Sequence, residues 1–219
     1  MDRSANQAIT PTVSPIRHVD HYRLSRCLIG SLGGTSRFSG GVHEWLCGVC
    51  RAFGHAGHGI DFPLDQGRNI ANTIIIPLFG DGDTGFGNAI NIKRTVREYA
   101  QAGFACIMLE DQVSPKRCGH TWGKSVVDRE EVLLRIRAAI EARDEGADIL
   151  IMARTDARAT HGIDEAIARC QSFVELGSDI TFLEAPETIN EMQRYCREVS
   201  GYKMVNLIEL GKTSILPRA

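Results

Sequence analysis

The chain has 219 residues, of which 43% are hydrophobic, and a formal net charge of −2. This composition is that of a soluble globular protein, and the lack of a basic surplus argues against nucleic acid as a partner. No apolar run approaches the ~18 residues that a membrane-spanning helix needs, so we expect no membrane partner. The seven cysteines are scattered and odd in number, which is typical of a reducing compartment rather than of a disulfide framework.

Residues 1–64 differ in composition from the rest of the chain. Their first forty positions contain five arginines, six serines and only two acids, Asp2 and Asp20. This bias is typical of an organellar transit peptide, and a disordered leader or an error in the predicted gene explains it equally well. We therefore predict a divergent or disordered segment at 1–64 and a main domain at 65–219. The expected location is the cytoplasm or an organellar matrix, mitochondrial or plastid.

The N-terminal segment also contains two cysteines and two histidines, residue types that bind zinc. They are Cys47, Cys50, His55 and His58. Only four residues separate Cys50 from His55, whereas about twelve separate the two ligand pairs of a zinc finger. An irregular segment that contains glycine and histidine is therefore the better interpretation.

From residue 65 onwards, apolar runs that suit strands alternate with helical patterns. The five predicted strands are 73–78, 107–111, 148–156, 180–184 and 203–209. The four predicted helices are 90–102, 128–145, 163–176 and 188–199, with Asp128 and Thr188 as candidate N-caps. This alternation predicts a parallel sheet that is buried on both faces.

Polar residues end or follow the predicted strands, which is the arrangement of active-site residues in a (β/α)8 barrel. The predicted fold class is therefore α/β, of the (β/α)8 TIM-barrel type. Such a barrel typically needs roughly 250 residues, whereas the alternating part of this chain has about 150. We therefore expect a partial barrel at 65–219, with the first strands and the last strands and helices missing or divergent.

The first predicted strand leads into a glycine-rich loop that contains two aspartates. Its glycines at 80, 82 and 85 match the dinucleotide-binding pattern G-x-G-x-x-G. Asp81 and Asp83, however, occupy positions at which a pyrophosphate would approach the backbone, and their carboxylates would repel it. Two carboxylates on such a loop suit a hard cation such as Mg²⁺. We therefore predict a metal site, with a solvated acidic turn as the alternative.

A cysteine lies in a positively charged loop after the second predicted strand. Lys116, Arg117 and His120 flank Cys118, and their positive field favours the thiolate, which lowers the pKa of the thiol from its free value of roughly 8.5. Gly119 leaves the sulfur uncrowded. Such a cysteine can donate or accept a proton near neutral pH. The alternative is a surface loop with an incidental cysteine.

Five segments resemble the isocitrate lyase and phosphoenolpyruvate mutase superfamily. They are GDGDTGFGN at 80–88, LEDQ at 109–112, PKRCGH at 115–120, ARTDA at 153–157 and FLEA at 182–185. The resemblance is closest to the branch of 2-alkylmalate lyases, oxaloacetate hydrolases and 2-methylisocitrate lyases, and some relatives are named carboxyvinyl-carboxyphosphonate phosphorylmutase. It implies a metal-dependent enzyme that cleaves or forms a carbon–carbon bond next to a 2-hydroxy or 2-oxo carboxylate.

The resemblance also implies a role for each matching side chain. Asp81, Asp83 and Glu110 would hold Mg²⁺, with Mn²⁺ as an alternative ion. Cys118 would protonate the carbanion that departs on cleavage, and Arg154 would bind a substrate carboxylate. The remaining substrate-binding residues would be Gly119, His120, Glu184 and Asn206. For the last two, the alternative is a polar group that only ends its strand.

Three functions follow as hypotheses. The first is a Mg²⁺-dependent lyase or hydrolase acting on a small dicarboxylate of the 2-alkylmalate, 2-methylisocitrate or oxaloacetate class. The second is a phosphonomutase, which has no evident use for an acidic Cys118. The third is an inactive fragment, because the serine–glycine–aromatic motif that family members carry before the paired aspartates is not found, which leaves the general base unassigned. The full-length form is expected to be a homo-oligomer.

Overall fold

The computed structural model describes residues 61–117, 123–206 and residue 213. The helices are α1 (Asp61–Ala71), α2 (Ala89–Gln101), α3 (Arg129–Asp144), α4 (Ala157–His161), α5 (Ile163–Leu176) and α6 (Ile189–Glu198). The strands are β1 (Phe79–Asp81), β2 (Cys106–Glu110), β3 (Leu150–Thr155), β4 (Ile180–Leu183) and β5 (Tyr202–Met204). Among these, no helix is long and apolar enough to span a membrane.

The five strands form one sheet in the order β1-β2-β3-β4-β5, and every neighbouring pair is parallel. At least one helix lies in each connection, because parallel neighbours need a long crossover. A spatial order that follows the sequence order, with helical crossovers, is the order of strands in a (β/α)8 barrel. The predicted fold class is therefore confirmed, with five barrel strands in the described residues.

The sheet is buried on both faces. Every residue of β3 is buried. Ile151 and Ala153 pack in the larger core, beneath the helices, whereas Leu150 and Met152 pack on the opposite face with side chains of β2 and β4. Successive side chains of a strand point to opposite faces, so a strand covered on both sides is apolar at every position. This explains why β3 begins with the continuous apolar run at 150–153.

The loop from β1 to α2 is fixed by a helix cap and by a glycine. The Asn88 side-chain oxygen accepts hydrogen bonds from the N–H groups of Ile90 and Asn91 at 3.0 and 3.3 Å, and the Asn91 side chain accepts one from the N–H of Asn88. Gly85 has a φ of +90°, and a Cβ there would lie 2.3 Å from Cγ1 of Ile92. Only glycine fits this position, because it has neither the strain nor the clash.

The predicted strand at 73–78 is wrong, because the first strand of the sheet is β1, at 79–81. Pro77 has no N–H with which to join a ladder. Ile75 is fully exposed, so its apolar side chain does not belong to the described core. Leu78 is the residue at which the chain enters the core, since its side chain is buried and its carbonyl accepts a hydrogen bond from Ala105.

Seven other predicted elements agree with the structure to within two residues at each end. They are β2, β3, β4, α2, α3, α5 and α6. Strand β5 is shorter than its predicted run, and residues 207–209 of that run lie outside the described residues. Helices α1 and α4 are additional to the predicted set. The division of the chain after residue 64 stays a prediction.

Two positions on α3 test the packing of the larger core. Ile136 is 1% exposed in the larger core, whereas Leu134 on the same helix is 57% exposed. We expect Ile136→Ala to lower the free energy of unfolding by about 2–5 kcal/mol, because it leaves a cavity among packed side chains. Leu134→Ala is the control and should change it by less than about 0.5 kcal/mol. Urea denaturation of both variants measures the difference, and equal losses would contradict this packing.

Candidate active site

Charged side chains from four neighbouring strands meet at the carboxyl edge of the sheet. Asp81 ends β1 and Asp83 lies two residues further on, while Glu110 ends β2. Arg154 lies in β3 directly opposite Glu110 in the register, and Glu184 follows β4. Because parallel strands all end at the same edge, these residues are brought together although they are far apart in sequence.

Lys116 is the cation of the acid cluster, which we define as Asp81, Asp83 and Glu110. Its Nζ donates to Oδ2 of Asp81 at 2.6 Å, forms an ion pair with Asp83 and lies 3.9 Å from Oε1 of Glu110. Burial alone would lower the pKa of Lys116, but the three carboxylates outweigh it and hold the pKa above its usual range. Lys116 is therefore charged at any physiological pH.

The acid cluster is costly to ionise. Burial raises the pKa of Glu110 to about 8, although the positive charges of Arg154 and Lys116 oppose the shift. Burial also raises the pKa of Asp83, and the neighbouring charge of Asp81 adds to that shift. Neither carboxylate oxygen of Glu110 has a hydrogen-bond donor among the described residues. The cluster therefore has unsatisfied capacity for a further cation.

The guanidinium of Arg154 contacts carboxylates from three places on the sheet. Its Nε and Nη2 donate to Asp156 at 2.9 and 3.3 Å. The Nε atom is also 3.3 Å from Oε2 of Glu110, and Nη2 is 3.6 Å from Oε2 of Glu184. The guanidinium carbon lies 5.2 Å from the ring centre of Phe182. Arg154 thus links the acids at the ends of β2 and β4.

A second layer of buried charges lies behind Arg154. The Nζ of Lys124 donates to Oδ1 of Asp156 at 2.7 Å, and these side chains are 2% and 0% exposed. Asp111 is fully buried, accepts a hydrogen bond from the N–H of Asp156 at 2.8 Å and pairs with Nη1 of Arg169 at 3.0 Å. Buried carboxylates stay ionised only with such direct partners.

These supporting charges were not predicted from the sequence. From the sequence, Lys116 is predicted only to contribute to the positive field around Cys118. No role is predicted for Asp156, Lys124 or Asp111. The available signal is weak, since Asp111 and Asp156 follow strands but so do many acids with no role in a site. The ion pairs of Lys116 and Lys124 join residues 35 and 32 positions apart, and no local pattern indicates such pairings.

Five of the predicted site residues are joined by the contacts above, and four are not. The joined residues are Asp81, Asp83, Glu110, Arg154 and Glu184. Asn206 is half-buried two residues after β5 and takes no part in the described contacts of the group. Cys118, Gly119 and His120 lie outside the described residues. The individual roles of all nine stay predictions.

The residues at this edge fit a divalent cation. No group of three or more Asp, Glu, His or Cys side chains in the described part of the chain is already arranged to hold a metal ion, and the acid cluster instead converges on Lys116. Five carboxyl groups and three cationic side chains lie at this edge, which gives a formal charge of −2 when every group is ionised. Carboxylate oxygens suit Mg²⁺, which keeps several of its waters and so tolerates acids at a distance.

The comparison with known families decides the membership of this chain. The family model described as phosphoenolpyruvate phosphomutase matches residues 52–216. The chain belongs to the phosphoenolpyruvate mutase/isocitrate lyase superfamily. Among similar proteins, the 2,3-dimethylmalate lyase of Eubacterium barkeri is 50% identical over 153 residues, which are 68% of this chain and 53% of that protein. The chain thus spans about half the length of this relative.

Two solved structures of superfamily relatives resemble the described fold. One is an oxaloacetate acetylhydrolase in complex with the inhibitor 3,3-difluorooxalacetate, with a TM-score of 0.72 and 33% identity over 78% of this chain and 60% of that chain. The other is a phosphonopyruvate hydrolase in complex with oxalate and Mg²⁺, with a TM-score of 0.59 and 32% identity over 71% of this chain and 54% of that chain. The resemblance inferred from the five sequence segments is therefore confirmed.

The pKa of Glu110 predicts how stability depends on pH without metal. Its pKa of about 8 in the folded chain lies above the usual value of 4.5, so folding takes up a proton between these pH values. The contribution of this proton uptake to the free energy of unfolding is therefore present at low pH and is lost as the pH rises through about 8. In EDTA, the Tm of the wild type should fall relative to that of Glu110→Gln between about pH 5 and about pH 8. A constant difference between the two would mean that Glu110 is ionised throughout.

Proposed function

We propose that this site belongs to a Mg²⁺-dependent enzyme that cleaves a carbon–carbon bond in a small 2-hydroxy or 2-oxo dicarboxylate, as a lyase or a hydrolase. The substrate classes are the 2-alkylmalates, 2-methylisocitrate and oxaloacetate. The observation that carries the proposal is the acid cluster beside Arg154 at one edge of the sheet. The 50% identity to a 2,3-dimethylmalate lyase supports it. The activity of the whole protein and its assembly as a homo-oligomer are both parts of the proposal.

The acid cluster would hold the metal. Asp81, Asp83 and Glu110 supply oxygen atoms of the kind that Mg²⁺ prefers, in part through retained water. When bound, Mg²⁺ would act as a Lewis acid towards the oxygen on C2 of the substrate. Lys116 would share its carboxylate partners with the ion, and the ionisation of Glu110 would be favoured by the added positive charge. The Mg²⁺ in the related phosphonopyruvate hydrolase complex supports this choice of ion.

Arg154 would bind a substrate carboxylate. Its Nε and Nη2 already donate to Asp156, and none of its contacts with described residues involves Nη1. That nitrogen is therefore the one from which a new hydrogen bond to a carboxylate costs least. A charged hydrogen bond in a site shielded from water is stronger than one in solution, so Arg154 would select an anionic group at this end of the substrate.

The loop cysteine would complete the cleavage. For a 2-hydroxy substrate, the hydroxyl proton passes to a base, C2 becomes a carbonyl carbon and the C2–C3 bond breaks. The electron pair of that bond becomes the enolate of the departing carboxylate, and Cys118 donates its thiol proton to the carbanionic carbon. The thiolate then regains a proton from solvent. The positive charge of the flanking residues makes the thiol acidic enough for this step.

A phosphonomutase is the second candidate, because the matching family model bears that description. A mutase moves a phosphoryl group within one molecule and does not need a cysteine that donates a proton. The two candidates therefore differ in whether Cys118 is needed for turnover and in whether the substrate contains phosphorus.

The metal proposal is tested by neutralising one acid at a time. We expect Asp81→Asn and Asp83→Asn to weaken Mg²⁺ binding by about tenfold or more, about 1.4 kcal/mol, since each removes a charged ligand oxygen. Asp144→Asn is the control, because its side chain is 64% exposed on α3, away from the edge. Isothermal titration calorimetry measures the three affinities. Affinities of both cluster variants equal to that of the wild type would remove the metal from this site.

The role of the cysteine is tested by Cys118→Ser. We expect turnover of 2-alkylmalates, 2-methylisocitrate or oxaloacetate to fall by about 100-fold or more, because a serine hydroxyl is a far weaker acid than a thiol. Binding of Mg²⁺ should be unchanged. Cys196→Ser is the matched control, since Cys196 is an exposed cysteine on α6. Unchanged turnover in Cys118→Ser would make the cysteine structural. Conversion of phosphonopyruvate to its isomer phosphoenolpyruvate, without activity on the dicarboxylates, would favour the mutase.

A further inference from the structure

Asp156 is a buried carboxylate to which the proposed reaction assigns no role. It is the first residue after β3 and is fully buried. Its Oδ2 accepts a hydrogen bond from Nε of Arg154, and its Oδ1 accepts from Nη2 of Arg154 and from Nζ of Lys124. One carboxylate thus lies between two cations, and all three side chains are nearly or completely buried.

Burial of three charges is not explained by stability. A buried ion pair gains little over an apolar pair of the same volume, because desolvation of the charges offsets their attraction. The positive charges of Arg154 and Lys124 nevertheless outweigh the effect of burial, and the pKa of Asp156 lies below its usual value. The carboxylate of Asp156 is therefore ionised. Its burial is better explained by the side chains that it holds in position than by a gain in stability.

Asp156 accepts the only hydrogen bonds that the guanidinium of Arg154 donates to described residues. Glu110 and Glu184 attract the same guanidinium from 3.3 and 3.6 Å, without the geometry of a hydrogen bond. A guanidinium released from Asp156 would therefore move onto one of these two acids, since each lies within about an ångström of a charged hydrogen bond. Arg154 would then pair with an acid of the protein and would not bind the substrate carboxylate.

The backbone of Asp156 is itself held from behind. Asp111 accepts hydrogen bonds from the N–H of Asp156 at 2.8 Å and from the hydroxyl of Thr155 at 2.5 Å. Arg169, which is 2% exposed, neutralises Asp111 from α5. The carboxylate that holds Arg154 is therefore fixed through its side chain and through its main chain, which is the support that a preorganised site needs.

We propose that Asp156 is a positioning residue that holds the guanidinium of Arg154 away from Glu110 and Glu184 and so keeps it free to bind a substrate carboxylate. Lys124 is the second cation that holds this carboxylate, because its Nζ donates to Oδ1 of Asp156 at 2.7 Å, whereas Nη2 of Arg154 donates to the same oxygen at 3.3 Å. The proposal rests on the proposed function for the substrate, but its statement about Arg154 concerns this chain alone.

Two measurements on Asp156→Asn test the proposal. In the first, the exchange rate of the Arg154 Nε–H with water is followed by NMR. The loss of the carboxylate should raise this rate by about tenfold or more, since the fixed hydrogen bond of the Nε–H to Asp156 is lost and the guanidinium is left to move between Glu110 and Glu184. In the second, calorimetry with Mg²⁺ present measures the binding of oxalate, a small dicarboxylate, and the affinity should fall by about 10- to 100-fold.

The variant is matched by a control at the opposite edge of the sheet, before β4. Asp179 precedes β4, pairs with Arg143 at 2.7 Å and accepts a hydrogen bond from the N–H of Ile151. Asp179→Asn removes a half-buried carboxylate–guanidinium ion pair and should lower the Tm without changing oxalate binding. Asp156→Glu should restore part of the affinity that Asp156→Asn loses, because it returns the charge. A structural role would move the Tm in both Asn variants but would not separate their affinities.

The outcomes separate the two proposals. Unchanged Nε–H exchange in Asp156→Asn would overturn the positioning role, whatever the wild type binds. Faster exchange with unchanged oxalate affinity would also overturn it, because Arg154 would then be held without effect on the ligand. If the wild type binds neither oxalate nor Mg²⁺, the proposed function fails, while faster exchange in the variant would still establish that Asp156 holds Arg154.

Discussion

The structure depends on the balance of charge at the carboxyl edge of a buried parallel sheet. Five carboxylates lie there with three cations, and most of these side chains are shielded from water. Carboxylates this close repel one another strongly where water is scarce. Lys116 stabilises the acids at the ends of β1 and β2, and Arg154 stabilises those on β2, β3 and β4. These cations oppose the effect of burial on the acids, although the pKa of Glu110 still lies at about 8.

The register of the sheet makes this balance possible. Glu110 and Arg154 are register partners across β2 and β3, so the carboxylate at the end of β2 lies beside the guanidinium on β3. Parallel strands with helical crossovers place every strand end on the same side, and the helices cover the outer face. The fold therefore concentrates charge at one edge while the two cores remain apolar.

Much of the fold follows from the sequence because its signals are local. Apolar runs with β-branched residues predict β2 to β4, and helical spacing predicts α2, α3, α5 and α6 almost to the residue. The rule that strand ends meet also brings together Asp81, Asp83, Glu110 and Glu184. The run at 73–78 misleads because its residues have strand-forming side chains, yet Pro77 and the exposed Ile75 belong to a connection.

The supporting charges do not follow from the sequence for a physical reason. Whether a lysine pairs with an acid depends on which loops lie over the sheet edge, and that is decided by the packing of the whole domain. Nothing in the sequence distinguishes Lys116 and Lys124 from surface lysines. In the structure, however, Lys116 contacts the acid cluster and Lys124 is buried against Asp156. Their pairing becomes visible only in three dimensions.

The pairing of Lys124 with Asp156 has a consequence for how this sequence can diverge. A neutral residue at position 124 would remove one of the two cations that contact Asp156, a carboxylate that is 0% exposed, and the loss of one partner from a buried ion pair is strongly destabilising. A change at one of the two positions is therefore tolerated best together with a change at the other. In an alignment of relatives these two positions, 32 residues apart, should covary more strongly than either does with its neighbours in the chain.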